Sequence, residues 1–193
     1  FIMVAAGSRY EDKTNNGIAH FAEHMFFKGT ERRPTARDIA GEIDAIGGEF
    51  NAFTGKEYTG YYVKCAAEHR NTALDVLVDM IRHSRFDPEE IEREKGVIVE
   101  EMNMYIDTPR DYVDSVYDEL LYGDQPLGWD IIGTKDTVRA ATQETFLTYI
   151  ERDQRFYHFP IQRDEVSEMP DAEQIESELD ACPDEVSPEN LEE

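Results

Sequence analysis

Apolar positions along the first 150 residues recur with two periods, and the switches between them mark out the elements. "FIMVAAG" at the start is a continuous apolar run and reads as a buried strand, with residues 7–17 as a polar loop behind it. Ile18, Phe21, Ala22, Met25 and Phe26 then follow helical spacing, predicting a helix from a cap at Asn15 or Asn16 to about Phe27, closed by Lys28-Gly29. A second helix starts near Pro34 or Thr35, carries Ile39, Ile43 and Ile46, and stops at Gly47-Gly48. Alternation returns in "EFNAFTGKEYTGYYVKC", which predicts strands over 49–54 and 58–65 joined by a tight turn at Gly55-Lys56.

Helical spacing resumes over 70–82 with Leu74, Leu77, Met80 and Ile81. Asp87-Pro88-Glu89-Glu90 opens a fourth helix with a cap, a proline at the first position and acids on the positive end of the dipole; it runs to about Tyr105 or Ile106. A fifth runs from Pro109 to Tyr122, with Tyr112, Val113, Val116, Tyr117, Leu120 and Leu121 expected to face inward. "GDQPLGWDIIGT" reads as a loop, and a last helix over 143–152 follows Thr142 as its cap. The fold class expected from this order is α+β, an antiparallel sheet packed against several helices.

Beyond Phe159-Pro160 the periodicity disappears, and charge explains why. The 193-residue chain has 43 acidic and 19 basic residues, a net charge of −24, and half of that excess falls in the last 31 residues. The expected organisation is a folded domain over 1–160 and a disordered acidic tail over 161–193. So negative a chain repels nucleic acid and anionic membrane, neither of which is an expected partner. Cys65 and Cys182 fit no metal or redox spacing, so Cys65 is expected as a reduced core residue in a cytoplasmic protein. The chain opens in mid-strand without an initiator Met and reads as a piece whose start is missing.

One stretch carries unusual chemistry. In "AHFAEHMFFKGT", His20 and His24 are four apart, share a helix face and can offer two imidazole nitrogens to one Zn²⁺. Glu23 borders that face, positioned to act on water rather than to ligate, in the H-x-x-E-H order. A catalytic zinc needs a third protein ligand. His69, His83 and His158 sit among polar neighbours and read as surface residues. In "EREKGVIVEEMNMY", Glu94 and Glu101 are seven apart on one face, with Val97 and Ile98 between them marking it as inward, whereas Glu100 is turned away. Two acids on an inward stripe are costly unless compensated, which makes Glu101 or Glu94 the expected ligand.

Together, "AHFAEHMFFKGT", "GGEFNAFTGKEYTGYY" and "EREKGVIVEEMNMYIDTP" resemble the pitrilysin family of zinc metallopeptidases, in the branch that includes mitochondrial processing peptidase and bacterial relatives. The likeness runs to about Arg152. It implies half of a pitrilysin-type αβ sandwich, one zinc per chain on His20, His24 and Glu101, Glu94 as the acid supporting these ligands, and Glu23 as general base for a metal-activated water. It also implies that an extended peptide substrate pairs with Asn51, Ala52, Phe53 and Thr54 as an added strand. Members of that family close their cleft with a C-terminal half or a homologous subunit, and this chain has one half. Two readings therefore stand: the catalytic half of a zinc endopeptidase, or a non-catalytic peptide-binding or scaffold module.

Overall fold

The computed structural model describes residues 1–153. The acidic segment 161–193, the boundary before it, His158 and Cys182 lie outside the described residues. Three strands, β1 (Ile2–Val4), β2 (Glu49–Thr54) and β3 (Thr59–Lys64), form an antiparallel sheet in the order β1-β3-β2. The helices are α1 (Ile18–Phe26), α2 (Ala36–Ala45), α3 (Arg70–His83), α4 (Pro88–Asp107), α5 (Pro109–Tyr122), α6 (Lys135–Ala140) and α7 (Gln143–Asp153). No described helix is long and apolar enough to cross a membrane. The expected α+β class, with an antiparallel sheet against several helices, holds.

Alternation on β2 puts Phe50, Ala52 and Thr54 half-buried and Glu49, Asn51 and Phe53 outward. The sheet's inner face meets α1 and α3. There Phe21, Met25 and Phe26 of α1 pack with Tyr61 of β3, Ile98 of α4 and Phe146 of α7 in the main core. Phe26 meets Tyr61 and Phe86 edge-on, and Phe21 meets Phe146 the same way. A second cluster, Ile39, Ile43, Val76 and Met80, joins α2 to α3.

Arg33 lies beside that joint with its side chain only 5% exposed. It donates to Glu42, Asp75 and Asp79 at 2.6 to 2.9 Å. These four residues tie the loop after α1 to both helices. Thr30 adds a hydrogen bond to Asp79 at 2.7 Å.

Several expectations need correction. The apolar residues of α5 do not face inward: Tyr112, Val113, Val116, Tyr117, Leu120 and Leu121 are all exposed, Leu120 by 80%. Helical period reveals which residues share a face but not which face meets a neighbour. On α5 the half-buried positions are Ser115 and Asp118, and Asp118 pairs with Lys56 of the β2–β3 turn at 3.1 Å. On α4 the buried stripe runs through Ile91, Glu94, Ile98 and Met102, and Val97 is exposed. Cys65 is free but only half-buried, one residue past the end of β3. Residues 135–140 form a short helix with no apolar period to announce it, held by a reciprocal Thr134–Thr137 cap.

Candidate metal centre

The helix that carries His20, Glu23 and His24 owes its start to a residue in the preceding loop. Backbone N–H groups of Gly17 and Ala19 donate to the Glu11 carboxylate at 2.8 and 2.9 Å, and the Asn16 side-chain amide adds a third bond at 3.0 Å. A buried acid there satisfies N–H groups that have no partner within the helix and complements its positive end. The cap is Gly17, at a left-handed φ of 92°, not Asn15 or Asn16. Asn16 is committed to Glu11 and to the Asp130 carbonyl. A Cβ on Gly17 would lie 2.6 Å from the Ile132 carbonyl oxygen, so only glycine fits. Glu11 escaped the sequence reading because it lies eight residues from the N–H it serves at Ala19, beyond any local capping pattern.

On α1 the imidazoles of His20 and His24 stand side by side, ring centres 4.6 Å apart. Packing of α4 on α1 brings Glu101 to both: one carboxylate oxygen lies 3.7 Å from His20 Nε2, the other 3.5 Å from His24 Nε2. One ligand atom from each of the three residues lies within 4.8 Å of the other two, and no other such group occurs among the described residues. A tetrahedral zinc bound at about 2.0–2.1 Å keeps its ligand atoms about 3.3 Å apart, so this donor set fits that ion with small adjustments.

Electrostatics prepares the same atoms. Burial, with a smaller push from neighbouring His24, lowers the His20 pKa to about 3, so its ring is neutral at pH 7 and one of its nitrogens carries a lone pair free for a cation. His20 Nδ1 is buried and has no hydrogen-bond partner in the structure. His24 is held differently: its Nδ1 lies 2.9 Å from Glu94 Oε1, while Lys28 Nζ contacts the other Glu94 oxygen at 2.6 Å. Burial would raise the Glu94 pKa, but the hydrogen bonds from His24 and Lys28 outweigh it and hold the carboxyl below its ordinary value. An ionised Glu94 only accepts, so His24 donates from Nδ1, and its Nε2 faces Glu101. The two acids left open by helical spacing are thus distinguished: Glu101 joins the histidine nitrogens, and Glu94 lies behind them.

Glu23 stands outside the triplet. Its carboxylate accepts a hydrogen bond from the Thr54 hydroxyl, and burial raises its pKa above the usual value. Beneath it, burial and then the nearby Glu23 charge push the Tyr61 hydroxyl well above its usual pKa. Thr54 ends β2, which pairs with β3 on one side and is an edge strand among the described residues. Gly55 N–H donates to the Tyr58 carbonyl at 2.8 Å and closes the hairpin. Counting back from that bonded pair, the N–H and C=O groups of Ala52 and Thr54 point away from β3, towards the open edge. The Asn51 side chain accepts from the outward Ala52 N–H at 2.9 Å. Phe53 is 40% exposed and leans on Phe1 and Tyr58. The remaining described histidines lie apart: His83 is bound to Asp79 at 3.0 Å and His69 is beside Glu68.

Known proteins resemble this chain over most of the described residues. Residues 1–135 match the family described as Insulinase (Peptidase family M16). A Bacillus subtilis protein named "Uncharacterized zinc protease YmxG" is 48% identical over 149 residues, covering 77% of this chain and 36% of its own length. The mitochondrial-processing peptidase subunit beta of Dictyostelium discoideum is 40% identical over 152 residues, covering 77% of this chain and 32% of its own. Among solved structures, a protease from Helicobacter pylori superposes with a TM-score of 0.73 at 22% identity, over 80% of this chain and 36% of its own, a likeness of fold. The chain thus spans about a third of the length of the curated relatives it matches. A family match over its first 135 residues, containing all of His20, Glu23, His24 and Glu101, means that the chain belongs to peptidase family M16, the insulinase and pitrilysin family.

Proposed function

We propose that the chain is the metal-binding half of a zinc-dependent endopeptidase that hydrolyses extended peptides, with the site on a domain over residues 1–160. His20, His24 and Glu101 hold one zinc ion, which when bound polarises a peptide carbonyl and makes water nucleophilic near neutral pH. Glu23 is the general base: it takes the proton of the attacking water and delivers it to the leaving amine nitrogen. A carboxylate whose pKa is raised by burial is suited to both halves of that transfer. The observation that carries this reading is the convergence of two imidazole nitrogens and one carboxylate oxygen within 4.8 Å, with Glu23 beside them but off the ligand set.

Substrate binds along Asn51, Ala52, Phe53 and Thr54. The outward N–H and C=O groups of Ala52 and Thr54 pair with an extended backbone, and the Asn51 side chain gives up the Ala52 N–H when the peptide arrives. Such pairing selects unfolded segments rather than side chains. The other wall of the cleft comes from a C-terminal half or a homologous subunit. The test is peptide cleavage by the chain, alone and with that half, in wild type and Glu23→Gln. Glu23→Gln is expected to keep zinc and to lower turnover about 10²–10⁴-fold. Wild-type turnover in that variant would remove Glu23 from the role of base, and cleavage indifferent to chelators would remove zinc from the reaction.

A further inference from the structure

Lys28 lies just beyond α1, four residues after His24, so its side chain returns along the helix face that carries the ligand. Its Nζ reaches Glu94 Oε2 at 2.6 Å. Glu94 comes from α4 and is 6% exposed at the side chain, and its second oxygen accepts from His24 Nδ1 at 2.9 Å. The three residues form one chain of contacts, with a cation at one end and a metal-facing imidazole at the other. Among the described residues, the ion-pair partners of Glu94 are Lys28 and His24. A buried carboxylate with one oxygen unmatched would turn or draw water to itself, and His24 would lose a fixed partner for Nδ1.

Resting on the zinc-site reading above, we propose that Lys28 is a positioning residue for the metal centre: by holding one oxygen of Glu94, it fixes the other against His24 Nδ1 and so aims His24 Nε2 at the position shared with His20 and Glu101. Lys28 does not touch the metal or the substrate in this role. It acts only through Glu94, which makes the proposal separable from a general contribution to folding. His20 has no equivalent support on its Nδ1, so the orientation of the pair rests on the His24 side.

The test is zinc affinity of the full chain by competition with a chromophoric chelator, with a thermal melt of each metal-free variant. Wild type is expected to bind one equivalent of zinc. Lys28→Met should weaken binding about 10–100-fold, the usual cost of losing a partner that orients a ligand, whereas Lys28→Arg, which keeps a cation there, should stay near wild type. Glu94→Gln should weaken binding similarly, and adding Lys28→Met to Glu94→Gln should cause no further loss. If Lys28→Met does not fold, Lys28→Gln takes its place with the same expected weakening. Wild-type affinity in a folded Lys28→Met or Lys28→Gln chain would overturn the proposal, as would an equal loss on adding Lys28→Met to the Glu94→Gln background. Failure of wild type itself to bind zinc would instead overturn the zinc-site reading.

Discussion

Two clusters of ionisable side chains are buried within one small domain, and they are built on opposite principles. Around Arg33 every hydrogen bond of the guanidinium finds a carboxylate oxygen, from Glu42, Asp75 and Asp79, and the set is closed. Burial opposes the Asp75 charge, but bonds from Arg32 and Arg33 prevail and lower its pKa. Around His20 and His24 the matching is left incomplete. Two imidazoles face a carboxylate at 3.5 and 3.7 Å, beyond hydrogen-bonding distance, and Glu23 adds a second acid alongside. A closed network spends its charges on holding elements together. An open one leaves charge and lone pairs unmatched by the rest of the cluster. Glutamate serves in both clusters, so its surroundings, not its type, distinguish the roles.

Breaking each cluster should separate these roles. The largest effect on stability is expected from Arg33→Met, which removes the guanidinium bonded to the 1%-exposed Asp79 and leaves that acid with Thr30 and His83, while Asp75 keeps its pair with Arg32; unfolding free energy should fall by about 3–5 kcal/mol, measured by urea denaturation. If zinc is bound at all, the folded fraction of that variant should bind it as wild type does. Next comes Glu11→Ala, which orphans the buried N–H groups of Gly17 and Ala19 and should cost about 1–3 kcal/mol, with hydrogen exchange at the first turn of α1 rising first. The smallest effect on stability is expected from Glu101→Gln. In the metal-free chain the Glu101 charge opposes that of Glu23, so its removal should leave stability within about 0.5 kcal/mol of wild type or raise it slightly. The same variant should lose tight zinc binding, measured by chelator competition. A Glu101→Gln chain destabilised as strongly as Arg33→Met would show that the site is a structural network after all.

Comparison of element with element shows which kinds of inference survive folding. Helices α1 to α5 and the hairpin were legible because Ile18/Phe21/Met25, Ile39/Ile43 and the alternation of "EFNAFT" impose a period, and a period is a local property. The orientation of α5 was not legible: its apolar stripe is real, but the residue that ties the helix to the body is Asp118, through Lys56. The cap of α1 was missed for the same reason, since Glu11 reaches it only once the intervening loop has folded back. In the candidate site, His20, Glu23 and His24 could be read from spacing along one helix. Lys28 lies in the same stretch and reads from sequence as a helix-terminating residue, because its partner is 66 positions away on α4.

By itself, then, the sequence determined the elements, the pair of histidines with their intervening acid, and a short list of two candidates for a third ligand, because helical repeat and residue chemistry are properties of neighbours along the chain. Helical spacing left those two open and the family resemblance implied Glu101; only the tertiary structure shows the contacts that divide them. The packing of α4 on α1 sets Glu101 against both Nε2 atoms and Glu94 against Nδ1 of His24, and the pairing of β2 with β3 sets Thr54 against Glu23. Those are relations between elements, governed by how buried surfaces fit together, and no period within a single segment can encode them.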